Sequence, residues 1–220
     1  MIVPIARSIL AILPRGMSSR LRAINRKRLR NKEIRKWRKA GSPQPPPHAV
    51  KQAVIEEYRR RFRVRVLVET GTYYGDMVMA LKDSFARIYS IELGMDLWSG
   101  AVKRFQAWPH IEILQGDSGK VLVQLMQRID CPALFWLDGH YSSGVTALGD
   151  KVCPIFQELD AIFSNTSIPH VLLIDDARLF KGDGDYPSIQ ELEQYVRGKN
   201  PGYKMKIEDD VIRFSRANPR

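Results

Sequence analysis

The sequence has few cysteines and no long apolar run. Cys131 and Cys153 lack the paired spacing of a zinc site and are too few for a disulfide framework. We expect both to be ordinary buried thiols in a reducing, cytoplasmic setting. The apolar start, residues 1–13, contains Pro4 and Arg7 and is shorter than the roughly 20 residues that a membrane-spanning helix needs. Most of the charge follows this run, whereas a secretory signal places its charge before it.

Acidic residues are almost missing from residues 1–48, which hold 13 Lys or Arg against a single acid, Glu33. The rest of the chain holds 22 basic and 23 acidic residues, so the net charge of +11 belongs to this first segment. Such a segment could bind an anionic membrane surface, a partner protein or, as a third choice, nucleic acid. A solvated extension is the simplest alternative. The segment therefore leaves peripheral membrane attachment open and says nothing about the substrate of the remainder.

A proline-rich stretch, GSPQPPPH at residues 41–48, has the composition of a linker. Consecutive prolines favour extended polyproline geometry and end a helix. We therefore predict a basic extension with its linker over residues 1–48 and one folded domain over residues 49–220.

Beyond the linker, short apolar β-branched segments alternate with amphipathic ones. This alternation predicts an α/β fold of the Rossmann-like type: a mostly parallel seven-stranded sheet with helices on both faces and an antiparallel closing strand. The predicted helices are 49–62, 75–85, 96–107, 119–129, 150–163 (helical after Pro154) and 187–197. The predicted strands are 65–69, 87–92, 111–117, 133–139, 170–176, 203–209 and 210–216.

Each of the first five predicted strands finishes in a carboxylate. In parallel sheets ligands bind outside the carboxyl ends of the strands, so these acids gather at the ligand-binding edge. Capping of the next helix explains single acids such as Asp117 or Asp176, but not the whole set. The acids are Glu69, Glu92, Asp117, Asp138, Asp175 and Asp176.

The turn after the first strand reads ETGTYYG (residues 69–75), which is neither a GxGxxG fingerprint nor a P-loop. Its glycines would let backbone approach a ligand closely, and its acid suits a cationic or hydroxyl-rich ligand. Glu92 is placed to accept hydrogen bonds from two ribose hydroxyls. Asp117 and Ser118 can bind an adenine amino group.

These motifs, VETGTYYG, IYSIE and LQGDS, resemble those of the class I S-adenosylmethionine (SAM)-dependent methyltransferases over roughly residues 50–215. The resemblance implies that SAM is the cofactor and that the chain is an enzyme, a methyltransferase. It also implies three groups of cofactor contacts: Glu69, Gly71, Thr72 and Gly75 around the methionine part, Glu92 at the ribose, and Asp117 with Ser118 at the adenine.

The fourth and fifth strands run into LDGHYSSG (137–144) and LIDDAR (173–178). These two segments bring together the carboxylates of Asp138, Asp175 and Asp176. Such carboxylates repel one another unless they are protonated or neutralised by a cation. Oxygen ligands of this kind suit Mg²⁺, Mn²⁺ or Ca²⁺. The layout resembles the metal-dependent O-methyltransferases of the catechol and macrocin types. That resemblance implies a divalent ion, in the first place Mg²⁺, that chelates two vicinal substrate oxygens.

His140, two residues after Asp138, is a candidate general base, with ligand orientation as the alternative. The catechol type commonly has a lysine near the fourth-strand acid, but none lies between Asp138 and Lys151. The base therefore stays open. The Asn-Pro-Pro-aromatic signature of amino-group methylation is also missing from this segment.

The sequence thus predicts a SAM-dependent, metal-assisted O-methyltransferase of a small hydroxylated molecule or sugar. One alternative is a nucleic-acid methyltransferase whose basic segment binds phosphates. Another is a protein of this fold that binds cofactor or metal without transferring a methyl group.

Overall fold

The computed structural model describes residues 15–139, 152–164 and 167–216. The chain divides into two compact units, Met1–Val50 and Lys51–Arg220.

The first unit contains a long basic helix, α1 (Arg15–Lys39), which has neither glycine nor proline after Gly16. After the helix, the Trp37 indole Nε1 donates a hydrogen bond to the Pro43 carbonyl at 2.8 Å, which holds the start of the proline-rich stretch. No helix within the described residues is long and apolar enough to cross a membrane. The exposed basic side chains of α1 include Lys27, Arg28, Lys32, Arg35, Lys36, Arg38 and Lys39. That these side chains bind an anionic membrane surface, a partner protein or nucleic acid stays a prediction.

The second unit is built on a seven-stranded sheet in the order β3-β2-β1-β4-β5-β7-β6. Strands β1 to β5 pair in parallel, while β7 is antiparallel to both β5 and β6. The predicted Rossmann-like sheet with an antiparallel closing strand is therefore confirmed. The strands are β1 (Val66–Thr70), β2 (Arg87–Glu92), β3 (Ile111–Gln115), β4 (Ala133–Leu137), β5 (Val171–Ile174), β6 (Tyr203–Glu208) and β7 (Val211–Arg216).

Six further helices are described: α2 (His48–Phe62), α3 (Asp76–Leu81), α4 (Met95–Phe105), α5 (Ser118–Leu125), α6 (Ile155–Ile162) and α7 (Ile189–Lys199). Short 3₁₀ turns follow α5 (Met126–Arg128) and β5 (Ala177–Leu179). Helix α3 ends earlier than predicted, at Leu81, and a turn over residues 82–84 follows it. In this turn the Ser84 hydroxyl donates to Glu56. Helix α6 begins after Pro154, as predicted, and residues 150 and 151 lie outside the described residues.

The core lies in two apolar layers, one on each face of the sheet. Alternate strand residues supply them, with Val68, Phe135 and Leu172 on one face and Leu67, Leu134 and Leu173 on the other. Strand β4 is buried along its whole length, so it reads as the uninterrupted apolar run ALFWL.

The two cysteines differ in their exposure. Cys153 is a buried free thiol, as predicted, but Cys131 is exposed. The prediction was wrong for Cys131 because this residue lies in the surface bend just before β4 rather than in the strand.

Candidate active site

The predicted acids do lie at the carboxyl edge of the parallel strands. Glu92 is the last residue of β2, and Asp138 and Asp175 directly follow β4 and β5. Glu69 is the last residue but one of β1 and pairs in register with Ser90 of β2. The predicted cofactor residues therefore lie at or just after the ends of β1 to β3, beside the predicted metal ligands that follow β4 and β5.

The Glu69 carboxyl is enclosed rather than open, with only 2% of the residue exposed. It accepts a hydrogen bond from the Ser90 hydroxyl, whose oxygen lies 2.6 Å from Thr72 Oγ1. Burial raises the pKa of Glu69 to about 8, although the Ser90 hydrogen bond lowers it. Glu69 is therefore largely protonated at neutral pH.

Glu92 is bound by the backbone of two turns. Its Oε2 accepts from the Tyr73 amide at 2.7 Å, and its Oε1 accepts from the Gly94 amide at 2.9 Å. One carboxylate thus fixes the turn after β1 against the turn after β2, and the remaining lone pairs of both oxygens can accept further donors.

Asp117 and Ser118 have clear structural partners. Asp117 is the N-cap of α5, with Oδ1 accepting from the Gly119 amide at 2.9 Å. The Ser118 hydroxyl donates to Glu158 Oε1 at 2.6 Å. The capping explanation is therefore correct for Asp117. Asp176, in contrast, precedes its 3₁₀ turn without a capping hydrogen bond.

The two glycines of the first turn are required by packing inside the protein. Gly71 has φ +84°, and a Cβ there would lie 2.4 Å from the Asp138 carbonyl oxygen. Gly75 has φ +77°, and a Cβ there would lie 2.6 Å from the Phe105 ring. Both glycines are thus needed because the turn after β1 packs directly against the end of β4 and against α4. Their approach to a ligand stays a prediction.

Asp138, Asp175 and Asp176 form the predicted cluster, which we call the acidic cluster. One carboxylate oxygen from each lies within 4.8 Å of the others. Asp175 is fully buried and Asp176 nearly so. Burial, followed by repulsion from Asp175, raises the pKa of Asp138 well above its usual value, and burial also raises the pKa of Asp175.

A lysine that the sequence did not suggest enters this cluster. The Lys51 ammonium, from the first turn of α2, donates to Asp175 Oδ2 and lies 3.5 Å from Asp176 Oδ1. Burial lowers the pKa of Lys51, but attraction to Asp175, Asp138 and Asp176 outweighs it and raises the pKa above its usual value. Lys51 is therefore a permanent cation at neutral pH.

An arginine balances the other side of the cluster. Arg178 Nη1 donates to Asp176 Oδ1 at 2.7 Å and also to Asp210 Oδ2, while the Arg178 amide donates to Asp210 Oδ1 at 2.8 Å. Asp210 lies in the tight turn between β6 and β7 and is buried. Arg178 thus ties the β6–β7 hairpin to the acidic cluster.

The donor set fits a hard divalent cation. Opposite oxygens around Mg²⁺ are about 4.2 Å apart, and around Ca²⁺ about 4.8 Å, which is compatible with the spacing within 4.8 Å seen here. Asp138, Asp175, Asp176 and Asp210 are four acids facing two cations, Lys51 and Arg178. When all six are ionised, a divalent cation would balance the remaining charge among them.

His140, the candidate general base, lies outside the described residues and stays a prediction. Sequence reasoning missed Lys51 and Asp210 at this edge, and it missed the contacts of Arg178 with Asp176 and Asp210. Only Arg178 carried a signal, as part of the LIDDAR motif, since Lys51 is 124 positions from Asp175.

No protein-family model matches the chain. No curated protein matches it either.

Solved structures do match it. The SAH-bound methyltransferase PaMTH1 of Podospora anserina is 15% identical, with a TM-score of 0.54 over 94% of this chain and 99% of that chain. The O-methyltransferase of Bacillus cereus in complex with SAH is 13% identical, with a TM-score of 0.54 over 86% and 90%. TomG of Streptomyces achromogenes, an O-methyltransferase in complex with SAM, is 16% identical, with a TM-score of 0.51 over 86% and 89%.

At these identities the likeness shows the fold, and the activity has to be argued from the residues. The strand order and the matches together confirm the predicted resemblance: the chain has the fold of the class I SAM-dependent methyltransferases.

The close approach at Gly71 can be tested by substitution. We expect Gly71→Ala to lower the free energy of unfolding by at least about 2 kcal/mol, because the methyl group meets the Asp138 carbonyl and the left-handed backbone disfavours a side chain. Gly100→Ala is the matched control, since it has open space in α4 and should stabilise by about 0.5–1 kcal/mol. Denaturant unfolding measures both. A cost below about 0.5 kcal/mol for Gly71→Ala would contradict the packing argument.

Glu69 predicts a pH dependence of stability. Its folded pKa is raised, so its contribution is complete below the unfolded value near 4.5 and is lost as pH rises towards 8, by at most about 1.4 kcal/mol per pH unit. In Glu69→Gln, which is permanently neutral, we expect unfolding free energies to depend less on pH between 5 and 8 than in the wild type. Glu57→Gln, at an exposed position, is the control. Parallel pH profiles for wild type and Glu69→Gln would refute a protonated Glu69.

Proposed function

We propose that this chain is a SAM-dependent methyltransferase that methylates an oxygen of a small hydroxylated molecule or sugar, assisted by a divalent cation. The observation that carries the proposal is the composition of the sheet edge. The residues suited to a nucleoside lie on β1 to β3, directly beside the acidic cluster on β4 and β5. The fold shared with O-methyltransferases in complex with SAM or SAH supports it.

We call the ends of β1 to β3 the first half of the edge. In this proposal the first half holds SAM, whose sulfonium supplies an electrophilic methyl group. Glu92 would accept the ribose hydroxyls with the lone pairs that the Tyr73 and Gly94 amides leave unused. Asp117 and Ser118 would bind the adenine, while Glu69, Gly71, Thr72 and Gly75 would surround the methionine part. A protonated Glu69 can both donate and accept hydrogen bonds, so it suits a polar group better than a bare cation.

The second half of the edge, at the ends of β4 and β5, holds the hydroxylated substrate that accepts the methyl group. Asp138, Asp175 and Asp176 would bind the divalent cation, in the first place Mg²⁺, which would lower the pKa of an acceptor hydroxyl. Asp138 also borders the turn at Gly71, so the end of β4 separates cofactor from acceptor. His140 is the proposed base that removes the hydroxyl proton.

The first test is calorimetric titration of SAM into the full chain, once with Mg²⁺ and once with EDTA. We expect binding in both, with a separate heat for Mg²⁺. In the double variant Asp175→Asn plus Asp176→Asn, Mg²⁺ binding should be lost and SAM affinity should stay within about threefold, because the two halves use different side chains.

The control is Asp83→Asn plus Asp130→Asn, which removes two exposed acids that precede β2 and β4, away from the carboxyl edge. It should bind both ligands like the wild type. Absence of SAM binding in the folded wild type would refute the cofactor assignment. Loss of SAM binding in the Asp175/Asp176 variant would show that the edge is divided wrongly. Where SAM binds, labelled SAM with vicinal diols, catechols and sugars tests for an O-methyl product by mass spectrometry.

A further inference from the structure

The Lys51 ammonium contacts two of the three acids that would bind a cation in the acidic cluster. It belongs to α2, which precedes the whole sheet in sequence, yet its ammonium contacts the two acids that follow β5. The Lys51 side chain is only 14% exposed and its Asp175 partner is fully buried. The contact is therefore an internal ion pair, for which loss of one partner is costly.

Both carboxylates that Lys51 contacts also accept a hydrogen bond from another donor. Asp175 Oδ1 accepts from the Asp176 amide at 2.9 Å, and its Oδ2 accepts from Lys51. Asp176 Oδ1 accepts from Arg178 at 2.7 Å and faces Lys51 at 3.5 Å. The ammonium therefore lies where oxygens of both acids are directed, which is the position that an ion bound by both would take.

We propose that Lys51 is a built-in competitor that sets the affinity of the acidic cluster for divalent cations. The inference rests on the proposed function, because it takes the cluster as the cation site. An ammonium and a divalent ion repel strongly at this separation, so both cannot be held by Asp175 and Asp176 at once. Cation binding displaces Lys51 from Asp175, and the flexible four-carbon stem of lysine allows this without movement of α2.

The consequence is that Asp175 and Asp176 keep the Lys51 ammonium beside them whenever no divalent cation is bound. Without Lys51, the buried Asp175 would face Asp176 and Asp138 with no cation from α2. With Lys51 in place, a divalent cation binds more weakly, because part of its binding free energy is spent on displacing the ammonium. Removal of the ammonium should therefore tighten cation binding, whereas removal of a merely structural lysine would not.

The test is a Mn²⁺ titration of the full chain, with free Mn²⁺ measured by electron paramagnetic resonance. Lys51→Met keeps the length of the side chain and removes the charge, and we expect it to bind Mn²⁺ at least about tenfold more tightly than the wild type. Lys51→Arg keeps the charge and should gain nothing. Lys204→Met, at an exposed position on β6, is the control and should match the wild type.

Equal or weaker Mn²⁺ binding by Lys51→Met would overturn the proposal while leaving the function intact. If neither protein binds Mn²⁺, the competition and the metal part of the function fail together. SAM titration of the same samples tests the cofactor assignment separately, and retained SAM affinity shows that Lys51→Met is folded.

A measurement on the wild type covers the case in which Lys51→Met does not fold. Displaced Lys51 should become reactive, so saturating Mn²⁺ should raise its acetylation by an amine-reactive reagent at least about threefold in peptide mass spectra. Acetylation of Lys204 should not change. If Mn²⁺ binds and Lys51 reactivity stays constant, Lys51 is not displaced and the proposal is wrong.

Discussion

The constraint on which this fold depends is the crowding of carboxylates at one edge of its sheet. Each acid there is wholly or partly removed from water, and a desolvated carboxylate needs a proton, hydrogen-bond donors or a cation. The chain uses all three means. Glu69 takes a proton, Glu92 accepts two backbone amides, and Asp175 receives the Lys51 ammonium. These partners come from turns and helices outside the strands, so they also fix how those segments dock.

The same partners divide the edge by charge. On β1 and β2 the acids are protonated or bound by backbone amides, so this half uses no side-chain cations within the described residues. On β4 and β5 the acids are balanced by Lys51 and Arg178. Ligand groups that donate hydrogen bonds, such as hydroxyl and amino groups, suit the first half, whereas in the second half we propose that a divalent cation replaces the Lys51 ammonium. Gly71 lets the two halves meet without a gap.

Much of this could be predicted from sequence, because local patterns determine it. Apolar β-branched runs predicted all seven strands within a few residues, and parallel pairing then placed their terminal acids at one edge. The start of the helix after Pro154 was predicted correctly. The end of α3 was predicted less well, since this helix stops at Leu81 although the apolar pattern continues to Phe85. The exposure of Cys131 depends on a single surface bend, for which hydrophobic pattern holds no signal.

Contacts between segments that are distant in the chain could not be predicted from the sequence. The lysine that enters the acidic cluster lies on α2, 124 positions before its partner Asp175, so no motif around either residue indicates their contact. Its position depends on how α2 packs beside the sheet, which periodicity does not specify. The same holds for Glu69, since only its register with Ser90 explains why a strand-end acid is neutral. Sequence thus locates the reactive edge, whereas the protonation and charge balance that govern its chemistry arise only when the elements are packed.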